Sequence, residues 1–326
     1  MDSNDTSLER LAHFAVVICT NHRAPGVKQA VDSVLVSRPT PGFVVIVEQA
    51  GELMSDFLRE FEGRSEAVLI HDNGTGLSRA RNIGTAAAEA LGATVVAYTD
   101  DDCTVDPGWL AGFASAFAKT PDVALVFGST KAAPHDADKG TIPAYLVPKV
   151  AIHRGVASKP HIEGMGACMA VRIDAWRSVG GFDDRLGAGT PLAAAEENDL
   201  SLRLLLSGFA VAETPAAEVM HHGLRGRLDA STLMAGYMRG SGAATAKMVR
   251  LGGFAAVLAL ATIGKRWLSG LAGVEMGHLP PRRTRLMNFL KGARAGFQMK
   301  IDCATGRFLP FNSPNDMLRV IPKTPQ

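Results

Sequence analysis

Tyr98-Thr99-Asp100-Asp101-Asp102-Cys103 decides the reading of this 326-residue chain. Three consecutive carboxylates follow directly on the apolar run Ala93 to Ala97. Two like charges about 4 Å apart repel by roughly 1 kcal/mol in water and by about 4 kcal/mol at an effective dielectric near 20, so the trio is costly unless a cation sits beside it. A strand that delivers carboxylates to its C-terminal end, where open α/β sheets place ligands, predicts a hard-metal site serving a phosphate-bearing substrate. A solvated acidic turn is the plain alternative, because turns favour Asp.

The stretches around this motif predict the sheet. Phe14 to Cys19 is a short continuous apolar run, as expected of a strand buried on both faces. Val27, Ala30, Val31, Val34 and Leu35 recur at helical spacing, and Phe43 to Val47 gives a second strand after the breaker Pro39-Thr40-Pro41-Gly42. Leu53, Phe57, Leu58 and Phe61 mark another helix, Ala67 to Ile70 a third strand, Leu77 to Leu91 an Ala-rich helix, and Ala93 to Tyr98 a fourth strand. Strands alternating with helices imply βαβ units and a mainly parallel sheet, whose right-handed crossovers bring the loops at Thr20, Glu48 and Asp100 to one edge. Lys131 to Glu163, with Pro134, Pro143, Pro148 and Pro160, reads as a loop or flap, and Gly164 to Val171 as a strand with small residues.

Composition narrows the class. With 47% hydrophobic and 20% charged residues the chain can bury a sizeable core and is not a disordered protein. Cys19, Cys103, Cys168 and Cys303 form no CxxC pair, which argues against a zinc knuckle and a disulfide framework. Met1 to Arg10 is polar and carries no signal-like apolar core, so a cytoplasmic location is expected. The net charge of +2 hides a polarity: from Arg225 onward sixteen Lys and Arg face four Asp and Glu (+12), leaving 18 minus 28 (−10) before it. The basic tail therefore suits an anionic partner. Leu251 to Ile263 is apolar but is interrupted by Lys265 and Arg266 before the roughly 20 residues a bilayer span needs. It either packs on the rest of the chain or lies in a membrane surface with Trp267, Leu268 and Leu271 below; nucleic acid is disfavoured for want of an aromatic platform.

Val17 to Arg23, Gly76-Leu77-Ser78-Arg79-Ala80-Arg81-Asn82-Ile83-Gly84 and Thr99-Asp100-Asp101-Asp102 occur in an order that resembles the nucleotide-sugar half of family 2 glycosyltransferases. Gly180-Gly181-Phe182-Asp183, Glu196-Glu197-Asn198-Asp199-Leu200-Ser201-Leu202-Arg203 and Gly208-Phe209 resemble its acceptor half. The resemblance implies a GT-A fold, a mainly parallel α/β sheet flanked by helices, over residues 12–224, with a basic, mainly helical extension over 225–326. It also implies an inverting transfer from a nucleotide-diphosphate sugar to a glycan, lipid-linked or small-molecule hydroxyl, with Mn²⁺ or Mg²⁺ on the diphosphate, in cell-envelope polysaccharide synthesis. The expected location is cytoplasmic, with the tail a candidate for contact with the anionic inner face of the membrane.

By the same resemblance Asp102 is the metal ligand, with His221, preferred over His222, as a second contact. Thr20, Glu48, Arg81, Asp100 and Asp101 fall at donor positions, Asp101 with an equal claim to be a turn carboxylate; for Arg81 a salt bridge to one of the acids is the lesser alternative. Glu48-Gln49-Ala50-Gly51 departs from the Asp-Asp-Gly-Ser common in relatives, so the nucleotide stays open among uridine, guanosine and thymidine. The base that deprotonates the acceptor falls on Glu197, where relatives usually carry Asp, with Glu196 its competitor; Asp199 reads as a helix N-terminal charge and Arg203 as its i,i+4 partner. A nucleotidyltransferase that forms nucleotide sugars is the competing enzyme, though no Gly-rich loop with a basic residue follows the first strand. A sugar-nucleotide or glycan binding module without turnover is the competing non-enzyme.

Overall fold

The computed structural model describes residues 13–21, 24–50, 67–271 and 280–310. The helix expected around Leu53 to Phe61 and the side chains of Trp267, Leu268 and Leu271 lie outside them. The strands are β1 (Phe14–Thr20), β2 (Phe43–Glu48), β3 (Ala67–His71), β4 (Val95–Asp100), β5 (Cys103–Val105), β6 (Val123–Ala132), β7 (Ala151–Arg154), β8 (Met169–Arg172) and β9 (Ala210–His221). The helices are α1 (Ala24–Leu35), α2 (Leu77–Ala90), α3 (Trp109–Lys119), α4 (Ile173–Ser178), α5 (Glu196–Leu206), α6 (Arg227–Leu251), α7 (Gly253–Leu271) and α8 (Arg282–Gln298).

All nine strands join one sheet in the order β3-β2-β1-β4-β8-β6-β9-β5, with β7 added on β9. The first four are parallel, as βαβ alternation requires, whereas β8 runs antiparallel between β4 and β6. The expected mainly parallel sheet is thus a mixed one: its second half carries antiparallel β5, β7 and β8. β7 and a 3-10 turn at Val156–His161 also lie inside the proline-rich stretch that composition alone marks as a loop.

Alternation along β1 explains why it sits centrally. Phe14, Val16 and Ile18 enter a core with α1 and α3, through Val27, Val31, Trp109 and Phe113. Ala15 and Val17 face the opposite core, with Ala80 and Ala88 of α2 and Leu200 and Leu204 of α5. Burying each large apolar side chain contributes about 1.5–3 kcal/mol, so a strand apolar on both faces is stable only between two helical layers. Parallel register then aligns the strand ends: Thr20 opposite Glu48, Cys19 opposite Asp100, Glu48 opposite His71.

The basic C-terminal segment is fastened into this body. Lys247 of α6, fully buried, bonds Asp183 at 2.5 Å and Asp199 at 2.6 Å. Asp199 also holds Arg203 at 2.8 Å, the pairing expected from their spacing. Asp199 is therefore both a charge in the first turn of α5, as expected, and one corner of a buried ion network. Glycines set the crossing of α6 and α8: a Cβ at Gly292 would collide with the Arg239 carbonyl, and one at Gly242 with that of Phe289. Among the described residues no helix is long and apolar enough to cross a membrane.

Candidate active site

The three aspartates diverge at the end of β4. Asp100, the last strand residue, accepts from Arg81 at 3.2 Å and keeps a third of its side chain exposed. Asp101 turns inward, buried, and accepts from Thr20 Oγ1 at 2.8 Å. Asp102 lies against the end of β9, with Oδ1 3.1 Å from His221 Nε2 and Oδ2 3.0 Å from Arg225. Pairing of Cys103 with His221 across β5 and β9 fixes this meeting of residues more than a hundred positions apart. His222 points elsewhere, to Thr104 Oγ1 at 2.9 Å.

The Asp102–His221 pair fits a hard divalent cation. His221 Nδ1 donates to the Pro143 carbonyl at 2.9 Å, which leaves Nε2 as the atom facing the carboxylate. Burial opposes charging this ring, but the hydrogen bond and charge of Asp102 outweigh it and raise the pKa. In a neutral ring two lone pairs would face each other, an arrangement that a cation between them relieves. A Cβ at Gly223 would lie 2.2 Å from Asp102 Oδ2, so only glycine leaves this carboxylate its space. Asp102, Cys103 and His221 place donor atoms within 4.8 Å of one another, the one such group among the described residues. Burial pushes the Cys103 thiol far up, so it stays protonated and is a poor ligand for Mn²⁺ or Mg²⁺.

Arg81 ties this edge to the start of α5. Buried between Tyr98 and Phe182, it reaches Asp100, Glu196 Oε1 at 2.9 Å and the Gly166 carbonyl at 3.2 Å. The small residues around Gly166 serve that contact: a Cβ there would sit 2.9 Å from both terminal guanidinium nitrogens. The space at Gly164 is taken by Phe127, and the strand expected from Gly164 begins only at Met169. Glu196 is thus buried and paired, while its neighbour Glu197 is half-buried and bonded only weakly, to Asn198 Nδ2 at 3.2 Å. Lys159 Nζ donates to Asn198 Oδ1 at 2.8 Å, which orients the amide and presents its NH₂ to Glu197. Burial first, then the charge of Glu196, pushes the Glu197 carboxyl up to about 8, against the pull of Arg81 and Lys159. Burial likewise lowers Lys159 to about 8. Ala193 (φ 65°) and Ala195 (φ 74°) enter α5 in the left-handed region, a strain that clusters where function fixes geometry.

At the other end of the edge, Glu48 is buried and accepts from His71 Nδ1 at 2.9 Å and from the Ala50 amide. Gln49 reaches Asp72, which Arg79 grips through two nitrogens at 2.8 and 2.9 Å. The Arg79 hydrogen bond is the chief cause that holds Asp72 down to about 2.

Sequence reasoning missed three residues here. Asp72 follows β3 as Asp100 ends β4, a signal available in the strand pattern. Arg225 opens the basic tail and comes to Asp102 through the bridge between Thr141 and Arg225 and the His222 amide bonded to the Asp102 carbonyl. Tyr237 of α6, raised to about 12 mainly by burial, feels the charges of Glu197, Glu196, Arg225 and Asp100 from a segment whose pattern shows no chemistry.

Residues 15–169 match the family described as glycosyl transferase family 2. Over 119 residues the chain is 32% identical to a glucosyl-dolichyl phosphate glucuronosyltransferase of Haloferax volcanii, covering 35% of this chain and 37% of that protein. Among solved structures it resembles S. aureus TarS 1-349 (TM-score 0.60, 11% identity, 87% of this chain and 81% of that one). It also resembles the mannosyltransferase PcManGT of Pyrobaculum calidifontis, in complex with GDP-Man and Mn²⁺ (TM-score 0.55, 15% identity, 82% and 77%). Residues 15–169 thus match glycosyl transferase family 2, and the fold is that of GT-A glycosyltransferases.

Proposed function

We propose that this chain transfers a sugar, with inversion, from a nucleotide-diphosphate donor to a hydroxyl of a glycan, lipid-linked or small-molecule acceptor. The observation that carries the reading is the pairing of Asp102 with His221 Nε2 on the same sheet edge to which Arg81 ties the Glu196-Glu197 turn. Asp102 and His221 would hold Mn²⁺ or Mg²⁺, which supplies positive charge to the diphosphate as it leaves. PcManGT with GDP-Man and Mn²⁺ and TarS with UDP support that class of donor and cofactor.

Glu197 takes the acceptor proton on its carboxylate, the freed oxygen forms its bond to the anomeric carbon, and the bond from that carbon to the diphosphate oxygen breaks. Glu196 is the weaker candidate for this step, because Arg81 already occupies it. Arg225, once released from Asp102, offers planar donors to the diphosphate. Thr20, Glu48 and Asp72 stand where the nucleoside end binds, with Asp100 beside Arg81 facing the ribose.

The test uses a panel of UDP, GDP and dTDP sugars with Mn²⁺. One nucleotide should raise the Tm in a metal-dependent way and give product by mass spectrometry. Asp102→Asn should abolish the shift, whereas Glu197→Gln should keep it and lose transfer by a factor of about 10² or more. Normal turnover by Glu197→Gln would move the base elsewhere, and no metal-dependent shift with any donor would sink the proposal.

A further inference from the structure

Two arginines reach the carboxylates at this sheet edge, and they are held differently. Arg81 is 2% exposed and commits its donors to Glu196, Asp100 and the Gly166 carbonyl. Arg225 is 26% exposed and, among the described residues, its guanidinium bonds Asp102 alone, at 3.0 Å. Its main chain is pinned: the Arg225 amide donates to the Thr141 carbonyl at 2.9 Å, and the Arg225 carbonyl accepts from the Thr141 amide at 3.0 Å. Gly140 packs so closely on that carbonyl that a Cβ would collide with it. The backbone is thus fixed while the side chain has room to swing.

The contact falls on the carboxylate that pairs with His221. Arg225 Nη2 meets Asp102 Oδ2, while His221 Nε2 faces Oδ1 of the same group. Gly223 preserves this arrangement, since a Cβ there would lie against both Asp102 Oδ2 and Arg225 Nη2. One short segment backs both partners: Thr141 holds the Arg225 main chain, and the Pro143 carbonyl accepts from His221 Nδ1 at 2.9 Å. Asp102 therefore already has its charge answered by a cation that does not titrate, and a divalent ion on it would meet that guanidinium within a few ångström. Repulsion between such charges weakens ion binding by about tenfold or more even under water-like screening. A diphosphate reverses the balance, because its several charged oxygens offer the planar guanidinium a stronger, bidentate partner than one carboxylate.

We propose that Arg225 is a resident counter-cation: it caps Asp102 against a divalent ion until a donor diphosphate draws the guanidinium away, so that metal and donor bind together. The inference rests on the proposed reading of Asp102 and His221 as metal ligands and adds a control over that site. Linkage makes the control reciprocal: the factor by which the diphosphate raises metal affinity through Arg225 is the factor by which metal raises diphosphate affinity.

Mn²⁺ binding to the full-length chain, read from the electron paramagnetic resonance of the free ion, tests the proposal without turnover. Arg225→Met should bind Mn²⁺ alone about tenfold or more tighter than the wild type, and the further gain on adding UDP, GDP or dTDP should shrink by a similar factor. Arg225→Lys, which keeps the charge, should stay close to the wild type; both variants retain the main-chain bridge to Thr141. Arg154→Met removes the same charge from an exposed pair with Asp122 and should leave Mn²⁺ affinity unchanged. The proposal fails if Arg225→Met binds Mn²⁺ alone no tighter than the wild type, or if Arg154→Met gains as much. Should these proteins nevertheless bind Mn²⁺ and lose it on Asp102→Asn, the metal reading outlives that failure. If none of them binds Mn²⁺ with any of the three nucleotides, the metal site and the counter-cation fall together.

Discussion

Replacing Lys247 by Met isolates the fastening between the extension and the catalytic body. Lys247, Asp183 and Asp199 are fully buried and Arg203 is 2% exposed, and together they sum to zero charge. Burial alone would push the Asp199 carboxyl up; Arg203 and Lys247 outweigh it and hold it below the ordinary range. Met fills nearly the same volume but leaves one uncompensated negative charge in the core, a change that costs about 3–5 kcal/mol, where an exposed pair is worth about 1 or less. At roughly 2–4 °C per kcal/mol for a chain of this order, Tm should fall by about 10 °C. Urea unfolding of Lys247→Met at pH 7 and pH 5 checks the cause. Without its cation the network can be neutralised only by protonating Asp183 or Asp199, so the variant's deficit should shrink as pH falls. Adding Asp183→Asn should recover at least about 1 kcal/mol by restoring neutrality, with Asp199 and Arg203 left as a pair. A loss under about 1 kcal/mol, or a deficit independent of pH, would refute the reading of this network as a buried fastening.

With Glu197 as the proposed base, the pH profile of transfer reports on it: with its carboxyl at about 8, kcat/KM should rise along an acid limb centred near pH 8 in the free enzyme. Lys159→Met removes a cation that favours the carboxylate, so that limb should move to higher pH; a limb unmoved by the substitution would detach Lys159 from the base. The same shift makes Glu197 a destabilising group, and its contribution to stability falls as pH rises from about 4.5 to 8, where the unfolded chain has released its proton and the folded one has not. Gly166→Ala should overpack Arg81, lowering stability by about 1–3 kcal/mol and kcat with it, as read by urea titration and initial rates. Gly264→Ala, with open space around it in α7, is the contrast and should be neutral or gain up to about 1 kcal/mol.

Much of the first half of the fold could be read from residues 14 to 100 because each parallel strand there announces itself as an apolar run with its own helix. The second half was harder for a physical reason. β7 is four residues of alternating exposure on the rim, Ala-Ile-His-Arg, too short and too polar to rise above its prolines. β8 hides behind two glycines whose purpose, room for Phe127 and Arg81, exists only once the sheet is assembled. The charge polarity of the chain was visible in composition. That a tail lysine would end fully buried between two domain aspartates was not, because pairing over such separations leaves no periodicity.

The carboxylate trio shows how neighbours in sequence part company. Asp100 ends β4 in register with Cys19, so its side chain stands at the open edge, where Arg81 can reach it. One residue on, alternation sends Asp101 below that edge, against the hydroxyl of Thr20, the last residue of β1. Asp102 completes the turn into β5, and because β5 pairs with β9 it arrives beside His221 and Arg225. Electrostatic cost is thereby divided among three separate cations or donors rather than borne by one. On the proposed reading Asp102 is set apart by its partners, an imidazole nitrogen and an arginine, which suit a divalent ion and phosphates, whereas Asp101 is turned inward onto the Thr20 hydroxyl.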